Sequence, residues 1–362
     1  MRLAKDISER IDALRFPLIV AVVWIHAYPT TGTVGSVVYG NPNPGYWATL
    51  IRNMFSEVTC RIPVPMLFLL SGYLFFLGME SHTPWKEAWL RFLGKWKNRL
   101  RTLLVPYLIW NLLVMGLILA IQESPIRGYF SETARVSQFN LLGFFNAWLG
   151  WTHPPIAYQL WFVRNLMILA LLAPLIYLLL RRLPVAYLVG MGLVWVLTLW
   201  PIKIPDSPGV FFFSLGGGLA IYGADLRRLD RWWPWLLALY MLIAGTDLLH
   251  KNHWYSENLH RLGLFCGLPL VFSLTARISE RWRQRLILLA PISFFLYALH
   301  EPLLSLVRRF DFSRLHPQSD VQILIFYVIN PLLVIILCVG IFKMMERYVP
   351  SVLSILTGDR RK

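Results

Sequence analysis

Ten apolar runs, each long enough to cross the hydrocarbon core of a bilayer, constrain this chain more than any other feature. They fall near 14–31, 62–80, 103–121, 160–180, 185–201, 209–224, 235–250, 262–276, 287–307 and 321–343. A core about 30 Å thick takes about 20 residues of helix, and inside it each backbone N–H and C=O must be satisfied within its own segment. The expected fold class is therefore all-α: a polytopic integral membrane protein of about ten transmembrane helices. Prolines inside the runs (Pro106, Pro174, Pro291, Pro302, Pro331) are tolerable only where neighbouring helices pack closely.

Composition excludes the soluble alternative. With 57% hydrophobic and 15% charged residues and a mean hydropathy of +0.54, a water-soluble globule would lack polar surface. Cys60, Cys266 and Cys338 show no CxxC spacing, so neither a disulfide framework nor a zinc site is implied. The formal charge of +16 raises nucleic acid as a partner, but the basic residues sit between the apolar runs and form no continuous stripe; nucleic acid is not expected. Orientation explains them better. With the N-terminus inside, segments 1–15, 81–102, 181–184, 225–234, 277–286 and 343–362 hold 24 Lys and Arg, the outer segments hold ten, and Arg164 lies within a run. The positive-inside bias places both termini in the cytoplasm. Arg2, Lys5 and Arg10 resemble the charged start of a signal peptide, yet no small-residue cleavage site follows His26, so the first run reads as a retained span.

Between the runs, 81–102 reads as an amphipathic surface helix, with Trp85, Trp89, Phe92, Leu93 and Trp96 in the interface and Lys86, Arg91, Lys95, Lys97 and Arg99 towards headgroups. The long segments 32–61 and 122–159 are rich in Gly, Pro, Asn and aromatics, which suits either a sugar acceptor or an interfacial belt. No internal repeat or separate soluble domain is evident, so one membrane domain is expected over 1–362.

Ionisable side chains inside apolar runs are costly and normally face the bundle interior, as a functional group or a structural pair. His26 is the foremost of these. An imidazole can take a proton from a hydroxyl nucleophile near neutral pH; the competing reading is a hydrogen-bonded packing histidine. Arg15 lies eleven residues earlier, nearly in phase at about 100° per residue and about 16 Å away along the axis. Its guanidinium offers a fork matched to phosphate or carboxylate, or else a lipid-headgroup contact. Arg99 and Arg101 precede the third run and add phosphate donors, although positive-inside topology alone would put them there. Arg61 and Arg164 lie towards the outer side, where a structural pair with a carboxylate such as Glu57 or Asp247 competes with a substrate contact. Asp247 and His250 share a helix face, which suits helix-end hydration better than a catalytic pair. His300 and Glu301 put a second imidazole and a carboxylate in one apolar run, either at the reacting groups or supporting them. There is no GxSxG, GxxxxGK[ST] or HExxH, and the Gly216-Gly217-Gly218 run reads as a close helix approach.

The ordered stretches Leu14-Arg15 through His26, Val64-Pro65 to Ser71-Gly72-Tyr73, Arg99-Leu100-Arg101 to Pro106-Tyr107, and Leu160-Trp161-Phe162 resemble the type 3 membrane acyltransferases, bacterial inner-membrane proteins that acylate extracytoplasmic glycans and lipids. Tyr297-Ala298-Leu299-His300 adds support. The resemblance implies that His26 is catalytic. Arg15, Arg99, Arg101, Arg61, Trp161, Arg164, Tyr297, His300 and Glu301 are the candidate substrate-binding residues. The family's basic motif has arginines three apart, whereas Arg99 and Arg101 are two apart. The family often carries an esterase-like extension, and this chain looks like a stand-alone version.

The expected function is therefore membrane O-acyltransfer of an acetyl or other short acyl group from cytoplasmic acyl-CoA, with acetyl-CoA the expected form, to a hydroxyl of an extracytoplasmic glycan or lipid-linked saccharide. His26 acts as base, by direct transfer or through a covalent acyl intermediate. Expected partners are the donor, the saccharide acceptor and membrane lipids, with homo-oligomerisation left open; no metal or permanently bound cofactor is called for. The rival is a transporter or flippase for a polysaccharide or glycolipid precursor, which paired interrupted helices would favour.

Overall fold

A computed structural model describes residues 4–359, almost entirely as helix. Arg2, Arg360, Arg361 and Lys362, all counted in the flanking charge, lie outside the described residues. Among the described residues seven helical stretches are long and apolar enough to cross a membrane: Tyr46–Phe76, Trp85–Gln122, Tyr158–Arg182, Leu226–Leu249, Ser256–Arg277, Glu280–Leu315 and Asp320–Tyr348. Pro184–Val196 and Ser207–Ile221 are shorter apolar helices.

Two segments depart from the sequence reading. The first helix is Lys5–His26, so it starts nine residues before the predicted run and stops five residues short of its end. Pro29 explains the early stop, because proline has no N–H to donate and disfavours helical geometry in the residue before it. Beyond it comes, among the described residues, the one exception to an all-α reading, an antiparallel hairpin of Thr31–Val34 with Val37–Gly40. Its strands are rich in β-branched Thr and Val, and Gly35 in the turn takes φ +65°, a left-handed value that glycine adopts without strain. The predicted 287–307 run is also divided: helix Glu280–Leu289 ends before Pro291, and a second helix, Ser293–Leu315, continues eight residues past 307.

The chain clusters into two compact units. Of the described residues, the first comprises 4–18, 61–100 and 165–290. Its centre is the pairing of Pro63–Phe76 with Ser207–Ile221 through bare backbone. A Cβ on Gly72 would stand 2.0 Å from the Phe213 carbonyl oxygen, and one on Gly216 would stand 1.9 Å from that of Leu69. Small residues permit such approach where no hydrophobic force drives helices together, so the expectation for Gly216 is met. Phe75, Phe76, Phe92 and Phe213 pack beside this contact with ring centroids 5.3–6.3 Å apart. Phe92 and Trp96 of helix Trp85–Arg99 therefore do not both lie in the interface as predicted. Phe92 is fully buried, and Trp96 Nε1 donates to the Ala170 carbonyl at 2.7 Å, while Trp85, Trp89 and Leu93 stay exposed. Arg10, only 1% exposed, donates twice to Asp230 at 2.8 Å and also to Thr275 and the Phe272 carbonyl.

The second unit comprises, of the described residues, 19–60, 101–164 and 291–359. Phe295 packs on Trp110 and Phe342, and Trp110 Nε1 donates to the Leu356 carbonyl at 3.0 Å, tying helices Val105–Gln122, Ser293–Leu315, Asp320–Tyr348 and Pro350–Thr357 together. A capping box of Ser319 and Gln322 starts the Asp320–Tyr348 helix.

Candidate active site

His26 is the last residue of its helix rather than a residue deep within it. The final carbonyls of a helix have no partner inside it, and cations are favourable there. The second unit supplies both needs. Arg308 Nη1 donates to the His26 carbonyl at 3.2 Å, Ser56 Oγ donates to that of Trp24 at 2.7 Å, and Arg52 Nη2 donates to that of Tyr28. Ser56 sits on a π-helical turn, Asn53–Val58, of the kind often found at functional sites, and also meets Tyr327 Oη at 2.8 Å. Tyr28 donates to Asn53 Oδ1 at 2.7 Å. Arg52, Arg308, Tyr327 and Asn330 line part of a void of about 10 Å³, room for one water.

The His26 ring is held from a second direction. Tyr158 Oη lies 2.9 Å from His26 Nδ1, and the Glu301 carboxylate accepts from Ser305 Oγ at 2.6 Å. Tyr158 comes from the short turn Tyr158–Leu160, which is clamped to helix Ser293–Leu315 by neighbouring backbone contacts. Gln159 Nε2 donates to the Ala298 carbonyl at 2.7 Å, and Tyr297 Oη donates back to the Gln159 carbonyl. His300 is fully buried with its ring centroid 5.2 Å from that of His26. Its Nδ1 lies 2.8 Å from the Tyr297 carbonyl, so that nitrogen carries the proton, and Nε2 has no hydrogen-bond partner. Two imidazoles, one with a vacant acceptor nitrogen, a phenol and a carboxylate thus share one site.

The structure brings together four of the sequence-predicted residues here: His26, Tyr297, His300 and Glu301. The others fall elsewhere or serve the surroundings. Arg164 is 8% exposed and its Nη1 donates to the carbonyls of Gly150 and His153 at 2.6 and 3.0 Å, holding the loop that leads to Tyr158. Trp161 opens helix Trp161–Arg182 with its ring 6.4 Å from that of Phe162, which in turn meets Tyr297 at 6.2 Å. Arg15 pairs with Asp12 at 3.2 Å, Arg61 with Glu257 at 3.0 Å and Arg101 with Asp359. Arg99 lies over the Phe75 ring. Asp247 accepts from Lys251 and Ser256 and lies 3.6 Å from His260, whereas His250 turns back to the Thr246 carbonyl.

Sequence reasoning missed Tyr158, Arg308, Arg52 and Ser56. Arg308 lies just past the predicted end of its run at 307; its position seven residues after Glu301 is the signal that the helix continues and keeps both on one face. Nothing in the loop sequence distinguishes Tyr158 from its aromatic neighbours.

Two imidazoles, a phenol and a carboxylate gathered at the end of the first helix of a multi-pass membrane protein are groups suited to group transfer. The chain matches the family model described as an acyltransferase domain over residues 8–342, and it belongs to the type 3 membrane acyltransferases. It is an acyltransferase. It is similar to the "Succinoglycan biosynthesis protein ExoH" of Rhizobium meliloti (strain 1021), 27% identical over 371 residues that span 98% of this chain and 93% of the relative. No solved structure matches it.

Proposed function

We propose that this protein moves an acetyl or other short acyl group from cytoplasmic acyl-CoA to a hydroxyl of an extracytoplasmic glycan or lipid-linked saccharide, with His26 as the general base. The observation that carries the reading is the His26 ring, bonded at Nδ1 to Tyr158 and backed by a buried second imidazole, within a chain of acyltransferase membership. The saccharide acceptor follows from the relative's name, which places that protein in succinoglycan biosynthesis.

In the proposed reaction the acceptor hydroxyl gives its proton to the His26 imidazole as its oxygen attacks the thioester carbonyl. The new C–O bond forms, the C–S bond breaks, and the proton passes from the imidazolium to the departing CoA thiolate. A positioned base of this kind supplies about 10²–10⁴ in rate. Arg15, aided by Arg99 or Arg101, binds the donor phosphates at the cytoplasmic mouth, because the charge bias sets both termini inside the bacterial inner membrane, with about ten spans. The family match runs from residue 8 to 342, which supports treating the chain as one acyltransferase domain.

Incubating purified protein with acyl-CoA and candidate saccharides tests this: release of free CoA coupled to a mass increase of one acyl group on the saccharide is expected. Acyl-CoA consumption that never appears on a saccharide, or acylated cell glycans that persist without the protein, would refute the acceptor assignment.

A further inference from the structure

We infer that Lys95 and Arg99, which both bring their cationic heads to the Phe75 ring within the first unit, form a binding site for a doubly charged phosphate monoester. The inference rests on the proposed use of acyl-CoA for one source of that group, the 3′-phosphate of CoA; the headgroup of phosphatidic acid is the other source with the same chemistry.

The basic residues of helix Trp85–Arg99 divide between two faces. At about 100° per residue, Lys95 and Arg99 fall within about 60° of Phe92, on the side that also carries Ala88. Ala88 and Phe92 are fully buried, so this is the face that packs against the rest of the unit. Lys86 and Lys97 fall about 120–140° away from Phe92, and both are exposed. Headgroup contact and the positive-inside bias account for Lys86 and Lys97. They do not account for two half-buried cations on the packed face, where Lys95 Nζ stands 5.5 Å and Arg99 Cζ 5.9 Å from the Phe75 ring centroid.

Charge is unbalanced at this ring. Among the described residues neither Lys95 nor Arg99 forms a hydrogen bond or an ion pair, whereas Arg91, one turn earlier, holds the Glu87 carboxylate and the Gly78 carbonyl. The ring offers a quadrupole but no net charge, and like charges four residues apart on a helix repel. Half-burying two cations without a counter-charge is unfavourable, and an anion held by both removes that cost. A phosphate monoester carries about −1.5 to −2 near neutral pH, which matches the charge of the pair. The guanidinium supplies a fork for two phosphate oxygens and the ammonium a point charge beside it. The other cations expected at the donor phosphates are already engaged, Arg15 by Asp12 and Arg101 by Asp359. Lys95 is therefore the partner that Arg99 has for this anion, and it is a residue that neither the apolar pattern nor the family resemblance singles out.

The test is calorimetric titration of the purified full chain, in phosphatidylcholine nanodiscs, with CoA and with dephospho-CoA, which lacks the 3′-phosphate. A second arm measures retention of phosphatidic acid by native mass spectrometry from nanodiscs doped with that lipid. Lys95→Met and Arg99→Met keep an apolar stem against the ring and remove the charge, so both are expected to melt within a few degrees of wild type. If CoA is the source, wild type prefers CoA over dephospho-CoA by about tenfold to hundredfold, the scale of a hydrogen bond to a charged group. Each Met variant then loses that preference, and Lys95→Arg keeps most of it. If the lipid is the source, the Met variants lose phosphatidic acid instead. Met variants that match wild type in both arms, or a wild type that binds CoA and dephospho-CoA alike and retains no phosphatidic acid, overturn the site. Binding is read without turnover: a wild type that binds no CoA, yet loses phosphatidic acid on Lys95→Met, upholds the site and counts against the proposed donor.

Discussion

Tyr158 and His26 stand 132 positions apart in sequence and 2.9 Å apart in space. Two features of the chain create that meeting. Pro29 ends the first helix at His26, and the Gln159 clamp presses the Tyr158 turn against helix Ser293–Leu315, which carries His300, Glu301 and Arg308.

Arg308 caps the helix end that bears the imidazole. Replacing it with Gln is expected to cost about 1.5–3 kcal/mol, the scale of a hydrogen bond to a charged group, seen as a lower melting temperature in detergent together with slower acyl transfer. Arg308→Lys keeps the charge and is expected to lose less. Identical stability in wild type and Arg308→Gln would show that the His26 carbonyl does not depend on this contact.

Gly72 carries one of the two closest helix contacts of the first unit. Gly72→Ala would place a methyl 2.0 Å from the Phe213 carbonyl oxygen, and overpacking of this sort costs about 1–3 kcal/mol or more. Gly190 has open space around the same position, so Gly190→Ala is expected to be neutral or slightly stabilising, since Ala is the better helix former. Thermal unfolding of the two variants side by side reads the contrast.

Arg10 is a buried cation whose pairing holds the start of the first helix in the first unit. Arg10→Ala leaves Asp230 without its partner, a change of about 3–5 kcal/mol for a buried pair. Asp230 is 23% exposed, so Arg10→Met, which restores packing volume without charge, is expected to recover part of the loss. Chemical denaturation of both variants distinguishes lost charge pairing from lost volume.

The helices were legible because hydrocarbon leaves the backbone no other choice, and the runs from Val105 to Gln122, Trp161 to Arg182 and Asp320 to Tyr348 coincide closely with the predicted spans. His26, His300 and Glu301 were legible for a related reason: polar atoms in apolar runs stand out. The hairpin at Thr31–Gly40 was not, since four-residue strands inside a Gly- and Pro-rich segment give too short an alternation to register. The stretch bearing Arg308 and Arg309 was not legible as helix, because its charges are compensated by groups distant in sequence, the His26 carbonyl for one and Glu132 for the other. Tyr158 is half-exposed and acts only through what it touches, which sequence periodicity does not encode.

The central claim is that acyl transfer runs through the His26 imidazole. Its most direct test is the rate of acyl transfer by purified His26→Ala protein, with folding verified by an unchanged melting temperature and a single symmetrical peak on gel filtration. A loss of about 10²–10⁴ in kcat, with donor affinity retained, is the predicted result; transfer at the wild-type rate by the folded variant would contradict it.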